Sequence, residues 1–306
     1  MKLNLSPAPH VHSSQSTRTL MLHVIIALIP CAAFGVWSFG VNALTLMLVS
    51  VLSAVLFEFL WQKLTKSPVR IGDLSAVVTG LILALNLPSG APWWLAVVGS
   101  AFAIVIVKGL FGGLGDNFIN PALAARAVLL ASWPRYMTSW LKPGADAVSA
   151  ATPLVSRGSY TTAQLFLGQI PGSIGEVCKW AILLGFAWLL ITRTISWRIP
   201  VAMVASTFIF SWIFRGEPAA AVEAVLSGGL LFGAVFMATD YVTCPMSAAG
   251  QLIYAACAGL LVVVIRQFGR YPEGVTYAIL LMNAASPLLD HFIRRRVYGH
   301  EKEAKA

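Results

Sequence analysis

Ten strongly apolar stretches, separated by polar connections, fill the 306-residue chain, at 20–39, 41–61, 74–87, 93–111 and 121–133, then 177–192, 200–214, 222–239, 250–267 and 276–292. No Lys, Arg, Asp or Glu occurs in 19–57, 74–107, 199–214, 224–239, 250–265 or 275–289. A helix of about 20 residues crosses roughly 30 Å of hydrocarbon. Several runs therefore suffice for one crossing, and the first two for about two each. The pattern predicts an all-α polytopic membrane protein of about ten transmembrane segments.

The third, fifth and eighth segments are short, polar-interrupted or glycine-containing. Segment three begins Asp73-Leu74-Ser75-Ala76 and ends Asn86-Leu87-Pro88; segment eight runs Ala224-Val225-Leu226-Ser227-Gly228-Gly229 and ends at Asp240, with Pro245 beyond. The residues after each are loosely alike: Lys108 to Gly112, Asp116, Asn120 and Pro121 against Arg266 to Gly269, Glu273, Asn283 and Pro287. This suggests two repeats of five segments, and an odd number per repeat inverts the second against the first. Inverted repeats with short broken helices place their functional centre near the midplane, where free helix ends face a ligand or ion. Irregular backbone is tolerated there only when buried in protein or facing water.

Composition agrees: 58% of residues are hydrophobic, 11% are charged and the mean hydropathy is +0.79, where a soluble domain carries about 25% charged residues. The net charge of +9 does not point to nucleic acid, because the basic residues sit at the ends of apolar runs rather than on one amphipathic face. Lys63, Lys66 and Arg70, then Arg193 and Arg198, then Arg294, Arg295 and Arg296 fit one cytoplasmic face under the positive-inside rule. Both termini are then cytoplasmic, and residues 134–176 form an outer loop in which Lys142 and Arg157 mildly break the bias. Residues 1–18 read as a mature cytoplasmic tail, having no cleavage site after a short apolar core, and 294–306 as a basic tail. The four cysteines, Cys31, Cys178, Cys244 and Cys257, contain no C-x-x-C pair, so they read as apolar fillers rather than iron–sulfur or zinc ligands, and no metal site is expected. Of the histidines, His10, His12 and His300 lie in tails, and His23 and His291 near span ends.

The loop 134–176, between repeats 19–133 and 177–293, is the only long connection outside the membrane, and loops above about 15 residues usually have a task or are disordered. Trp133, Tyr136, Trp140, Tyr160 and Phe166 supply rings, and Lys142, Arg157, Ser149, Ser156 and Thr152 supply donors. That mix suits a flavin, which stacks on rings while its phosphate takes cations and hydroxyls. An interfacial belt of Trp and Tyr at headgroup depth accounts for the same composition.

Within the loop, Asp146-Ala147-Val148-Ser149-Ala150-Ala151-Thr152 resembles the Asp-x-x-Ser-x-Ala-Thr site at which bacterial flavin transferases esterify FMN to threonine. An acceptor of this kind calls for an exposed hydroxyl on a mobile backbone with small neighbours. The chain also carries Asp73 to Gly80, Gly112 to Ala122, Ala238-Thr239-Asp240, Tyr271-Pro272-Glu273-Gly274-Val275 and Leu281-Met282-Asn283-Ala284. With these blocks it resembles the D-subunit family of the Rnf complex, related to the B subunit of the sodium-pumping NADH:quinone reductase. Ala150 stands where the family often has glycine. The length favours the Rnf family over its longer relative.

The resemblance implies a bacterial inner-membrane subunit of a complex that couples electron transfer between ferredoxin and NAD to Na⁺ or H⁺ movement. It implies FMN as a phosphoester on Thr152, with Asp146 and Ser149 supporting recognition by a flavin transferase, and allows a second, non-covalent flavin such as riboflavin that no residue pattern places. The chain has no dinucleotide-binding glycine fingerprint after a strand and no cysteine cluster, so NAD and ferredoxin would meet other subunits. Asp73, Asp116, Asp240 and Glu273 lie beside broken or glycine-rich segments; each is either a helix cap or headgroup marker or part of an ion path, since ionisable groups at such depth are costly. A channel or transporter for a small solute or ion, without redox chemistry, is the competing reading, because fold alone does not choose. A purely structural scaffold would leave the four carboxylates unexplained.

Overall fold

The computed structural model describes residues 16–143, 152–154, 156, 158–269 and 273–293. Asp146, Ser149, Arg157, Tyr271, Pro272 and the cluster Arg294, Arg295 and Arg296 lie outside these residues. Among the described residues every regular element is helical, and the only pairing of extended backbone is an isolated bridge between Pro88 and Ser173.

The first half opens with α1 (Thr17–Phe39), whose first turn is capped by Ser16 Oγ accepting from the Thr19 N–H at 3.2 Å. Gly40, at φ 70°, turns the chain directly into α2 (Val41–Leu64). Then come α3 (Ser75–Leu85), α4 (Trp93–Ala101), which continues into a π-helical stretch Phe102–Gly109, and α5 (Pro121–Ser132). Asn120 caps α5 by accepting from the N–H groups of Ala122 and Leu123 at 3.1 and 3.2 Å, and Pro121 at the first position loses no hydrogen bond there. The connection holds α6 (Pro134–Met137) and α7 (Thr162–Leu167). The second half comprises α8 (Lys179–Ile191), α9 (Arg198–Arg215), α10 (Pro218–Leu226), α11 (Leu230–Phe236), α12 (Ala248–Phe268) and α13 (Val275–Phe292).

Helices α1, α2, α9 and α12 are long and apolar enough to cross a membrane, and α10 with α11 makes a fifth such unit bent by 57°. Shorter apolar helices occur at α3, α4 with its π continuation, α5 and α8. The eighth apolar run, a single segment by its sequence pattern, is thus two helices. Its break falls at Ser227-Gly228-Gly229, where Gly228 takes φ 65°, a conformation a side chain disfavours. Large apolar side chains face outward, with Trp37, Leu64 and Ile191 about four-fifths exposed at 80%, 79% and 78%. Exposed apolar surface on this scale marks contact with lipid or protein.

Close helix contacts rest on small residues, as is common in membranes. A Cβ on Gly80 of α3 would stand 2.8 Å from the Ser50 carbonyl oxygen of α2, and Ser50 Oγ donates to the Gly80 carbonyl at 2.7 Å. Helices α9 and α12 pack against each other in the same way, with Thr207 and Gly259 at the contact.

The two short broken elements, α3 and α11, run antiparallel to each other. The start of α3 and the end of α11 line one cavity together, through Ser75, Thr79, Phe236, Thr239 and Asp240. The other end of α3, at Asn86, and the start of α11, at Gly229, meet around Arg126 of α5. Asn120 and Asn283, paired in the loose repeat correspondence, meet directly, the Asn120 N–H donating to the Asn283 amide oxygen at 3.1 Å. Asn120 caps α5, and Asn283 lies inside α13, its amide NH₂ donating to the Tyr254 hydroxyl at 2.6 Å and to the Ile279 carbonyl at 3.3 Å.

Candidate functional site: two buried charge clusters at the breaks

At the start of α3 the chain passes through Leu74 in the left-handed region, at φ 65°. Asp73 Oδ1 accepts from both the N–H and the hydroxyl of Ser75, at 2.8 and 2.6 Å. Ser75 Oγ in turn accepts from Lys108 Nζ at 2.6 Å, and Lys108 Nζ also donates to Glu58 Oε1 at 2.7 Å. Lys108 and Glu58 are buried, so each charge depends on the other for compensation. Lys108 belongs to the π-helical stretch, whose Leu110 N–H reaches back to the Val105 carbonyl; such stretches often occur at functional sites. Beyond the ion pair lies a second, polar cavity lined by Glu58, Gln62, Arg70, Asp73, Lys108 and Asp116.

The second cluster surrounds the break Ser227-Gly228-Gly229. Arg126 reaches from α5 to Asn86 Oδ1 at 3.1 Å, Ser173 Oγ at 3.3 Å and Thr276 Oγ1 at 3.4 Å, and forms an ion pair with Glu273. Glu176 Oε1 accepts from the Ser173 N–H at 3.0 Å. Lys179 donates to the Glu176 carbonyl and to the Gly228 carbonyl, the latter at 3.4 Å. Arg266 of α12 donates to the carbonyls of Ala224 and Ser227 at 2.6 and 3.0 Å, closing the end of α10. Segment 173–178 comes in from the connection and is held by Ile174 and Gly175 N–H groups donating to the Leu87 and Leu85 carbonyls, at 3.1 and 2.8 Å. Burial raises the Glu273 carboxyl to about 7 against the lowering effect of Arg126.

The connection touches this cluster. Thr152 is 5% exposed, not the exposed acceptor expected, because the segment after it is inserted: a Cβ on Gly228 would stand 2.7 Å from Leu154 Cδ1 and 3.2 Å from Arg266 Nη2. Ser156 N–H and Oγ both donate to the Thr152 carbonyl, at 3.0 and 3.1 Å. Of the rings expected near a flavin, Trp133 and Tyr136 pack edge-on to Trp94, at 5.4 and 5.8 Å, and Trp140 is buried.

The four carboxylates do not form one constellation. Asp73 and Asp116 line the polar cavity, Asp240 the neighbouring one, and Lys108 and Leu114 border both. Glu273 stands at the far end of α3, whose 11 residues span about 16 Å. Asp73 accepts from Ser75 in the first turn of α3, while exposed Asp116 faces Gly112 in the glycine-rich turn. Glu58, Arg126, Glu176 and Lys179 are not among the site residues that the sequence singles out; the signal that could have found them is the rarity of charge within apolar runs.

Comparison with known proteins covers the whole chain. It is 48% identical over 318 residues to the D subunit of the Na⁺-translocating ferredoxin:NAD⁺ oxidoreductase complex of Acetobacterium woodii, covering 100% of this chain and 99% of that one. It is 42% identical to the D subunit of the proton-translocating ferredoxin:NAD⁺ oxidoreductase complex of Clostridium ljungdahlii, over 96% of each chain. With the D subunit of the ion-translocating oxidoreductase complex of Halorhodospira halophila identity is 37%, over 97% of this chain and 96% of the relative. Residues 4–299 match the model of one family, and the chain belongs to it: the NQR2, RnfD, RnfE family.

Proposed function

We propose that this chain is the membrane-embedded D subunit of an Rnf-type ion-translocating oxidoreductase, passing electrons through FMN held covalently on Thr152 and contributing to Na⁺ or H⁺ movement. The observation that carries the reading is end-to-end similarity to D subunits named for ferredoxin:NAD⁺ oxidoreductase complexes, one translocating sodium and another protons. In this reading ten segments cross the bacterial inner membrane as two inverted five-segment repeats with both termini cytoplasmic. Support comes from the order of elements. A positive φ, at Leu74 and at Gly228, precedes a half-helix in the third segment of each half, which is α3 in the first and the broken α10–α11 segment in the second, and the long helices α2 and α9 come just before these segments. Other Rnf subunits and, during maturation, a flavin transferase are the partners.

The residues present fit a flavin phosphate at Thr152: buried donors without partners, Arg266 Nε and Ser227 Oγ, lie at the break that Leu154 contacts. When bound, the flavin supplies a redox group that accepts and releases electrons. Loading needs an activated flavin phosphate, such as a flavin dinucleotide. A bond forms between Thr152 Oγ and phosphorus, the pyrophosphate P–O bond breaks, adenylate leaves, and the hydroxyl proton passes to a base on the transferase or to solvent. On the ion path, Asp73, Asp116 and Asp240 belong to cavities that meet at Lys108, and Glu273 belongs to the opposite cluster.

The test is co-expression with a flavin transferase. Wild-type protein should fluoresce under ultraviolet light in a denaturing gel, Thr152→Val should lose all of the signal, and Thr152→Ser should retain part of it. Wild-type protein without covalent flavin, or a fluorescent Thr152→Val, would overturn the assignment in favour of a permeation pathway without a redox group.

A further inference from the structure

The second cluster is incomplete in a way that points to a ligand. Among the described residues, nine buried side-chain atoms lack a hydrogen-bond partner, and five of them belong to this cluster: Arg126 Nε, Arg266 Nε, Ser227 Oγ, Glu176 Oε2 and Glu273 Oε1. Arg126, Arg266, Ser227 and Glu176 are all more than nine-tenths buried, and polar atoms left bare at such depth are destabilising. The cluster's formal charge is also unbalanced. Arg126, Lys179 and Arg266 face two carboxylates, Glu176 and Glu273, and Arg215 adds a further cation near Arg266, leaving the set net positive.

The unpaired atoms are sorted by side. A Cβ on Gly229 would stand 2.9 Å from Glu176 Oε2 and 3.9 Å from Arg126 Nη1, so the acidic groups and Arg126 gather beside Gly229. Beside Gly228 stand Arg266 and Leu154, with Lys179 on the Gly228 carbonyl. Leu154 is two residues from Thr152, and two residues span at most about 7 Å. Resting on the reading that Thr152 carries the flavin, we infer that Arg266, Ser227 and Lys179 form the seat of the phosphodiester that joins flavin to Thr152.

A phosphodiester has one ionisable oxygen and hence one negative charge, which offsets part of that positive excess. Its two non-bridging oxygens accept from Arg266 Nε and Ser227 Oγ, and guanidinium–phosphate bonds are among the stronger charge-assisted kinds. The guanidinium is already held by two carbonyls, so its orientation is fixed before the flavin arrives. The seat would thereby tie the loop to the break between α10 and α11, placing the redox group against the hinge of a bent segment. Arg215, Glu176 and Glu273 also act on Arg266 electrostatically. Glu176 is the strongest charge partner of both Arg266 and Lys179, while its Oε1 accepts from the Ser173 N–H and Glu273 pairs with Arg126.

The experiment is a thermodynamic cycle on protein co-expressed with the transferase. Thermal midpoints in detergent are measured for wild type and Thr152→Val, then for the same pair carrying Arg266→Gln, Arg266→Lys or Ser227→Ala, with covalent flavin scored for each in a denaturing gel. The seat predicts that wild type is more stable than Thr152→Val by several degrees. That gap should vanish with Arg266→Gln, shrink by about half with Ser227→Ala and survive in part with Arg266→Lys. If every labelled background keeps the wild-type gap, the seat is wrong while the flavin assignment stands. If wild type carries no flavin, the assignment fails and the seat with it. Should Arg266→Gln not accumulate, Ser227→Ala and Arg266→Lys decide, and an unchanged gap in both overturns the seat.

Discussion

Each broken segment has a buried cation at its break, yet the two are finished differently. At the first, Lys108 is shared between Glu58 and Ser75, and Glu58 Oε2 is the one unpaired buried atom in that set. At the second, three cations face two carboxylates and five atoms lack partners. An ammonium with three donors can be satisfied by a compact set, whereas two guanidiniums bring ten N–H donors in fixed forks. The first break therefore reads as a closed lock that fixes α2, α3 and the π-helical stretch together. The second is a socket, left open toward the connection that carries Thr152.

The lock gives the largest expected effect. Lys108→Met leaves Glu58 buried without its partner, and breaking a buried ion pair costs about 3–5 kcal/mol. The double variant Glu58→Leu/Lys108→Met removes both charges and should recover most of that loss. Thermal unfolding in detergent checks the ranking; a double variant no more stable than the single one would show that the pair is not a self-contained lock.

The socket should respond more gently, because Glu273, its carboxyl already raised to about 7, takes up a proton when its cation is lost. Arg126→Met removes bonds to Asn86, Ser173, Thr276 and Glu273 together and leaves Glu273 unpaired, for a loss of about 2–3 kcal/mol, whereas Glu273→Gln keeps an acceptor for Arg126 and should lose about 1 kcal/mol. Equal losses in the two variants would mean that the cluster's stability comes from the Arg126–Glu273 pair alone, and the contrast between lock and socket would collapse. Unfolding midpoints of the two proteins, made without the transferase, give the answer.

How much of this is legible in the sequence depends on the range of the interactions. Apolar runs locate the helices, since lipid contact acts on every residue of a segment, and the glycine pair Gly228-Gly229 marks the place where the eighth run breaks. The partners are not legible. Glu58 and Lys108 are 50 residues apart and Arg126 and Glu273 are 147 apart, and no local spacing announces a pair closed only by tertiary packing. The sequence allows Asp73 to be either a cap or an ion-path group, and in the structure it both accepts from Ser75 at the start of α3 and lines the polar cavity. The motif picks out Thr152, but the burial of that residue depends on Leu154 packing at Gly228, which the motif does not encode.

The far ends of the two half-helices give the smallest and most specific contrast. α3 ends on Asn86, a neutral amide that donates to the Ile82 carbonyl at 2.7 Å and accepts from Arg126. α11 is followed by half-buried Asp240, whose carboxyl burial pushes up from 3.8 to about 6, against N–H and hydroxyl donation from Val242 and Thr243. A carboxyl with a raised value in the folded state contributes stability that is fully present below its unfolded value and is lost as pH rises through the folded one. Wild-type protein should thus lose stability between about pH 4 and pH 6 on account of this group. Asp240→Asn does not ionise and should follow the wild type below about pH 3.8 while exceeding it at pH 8 by about 1 kcal/mol, a small figure because the carboxylate is partly exposed. Thermal midpoints of both proteins across that range test the sign: a variant less stable than wild type at pH 8 would show that ionised Asp240 is held by a favourable partner, making the end of α11 a binding place for a cation instead of a desolvated counterpart of Asn86.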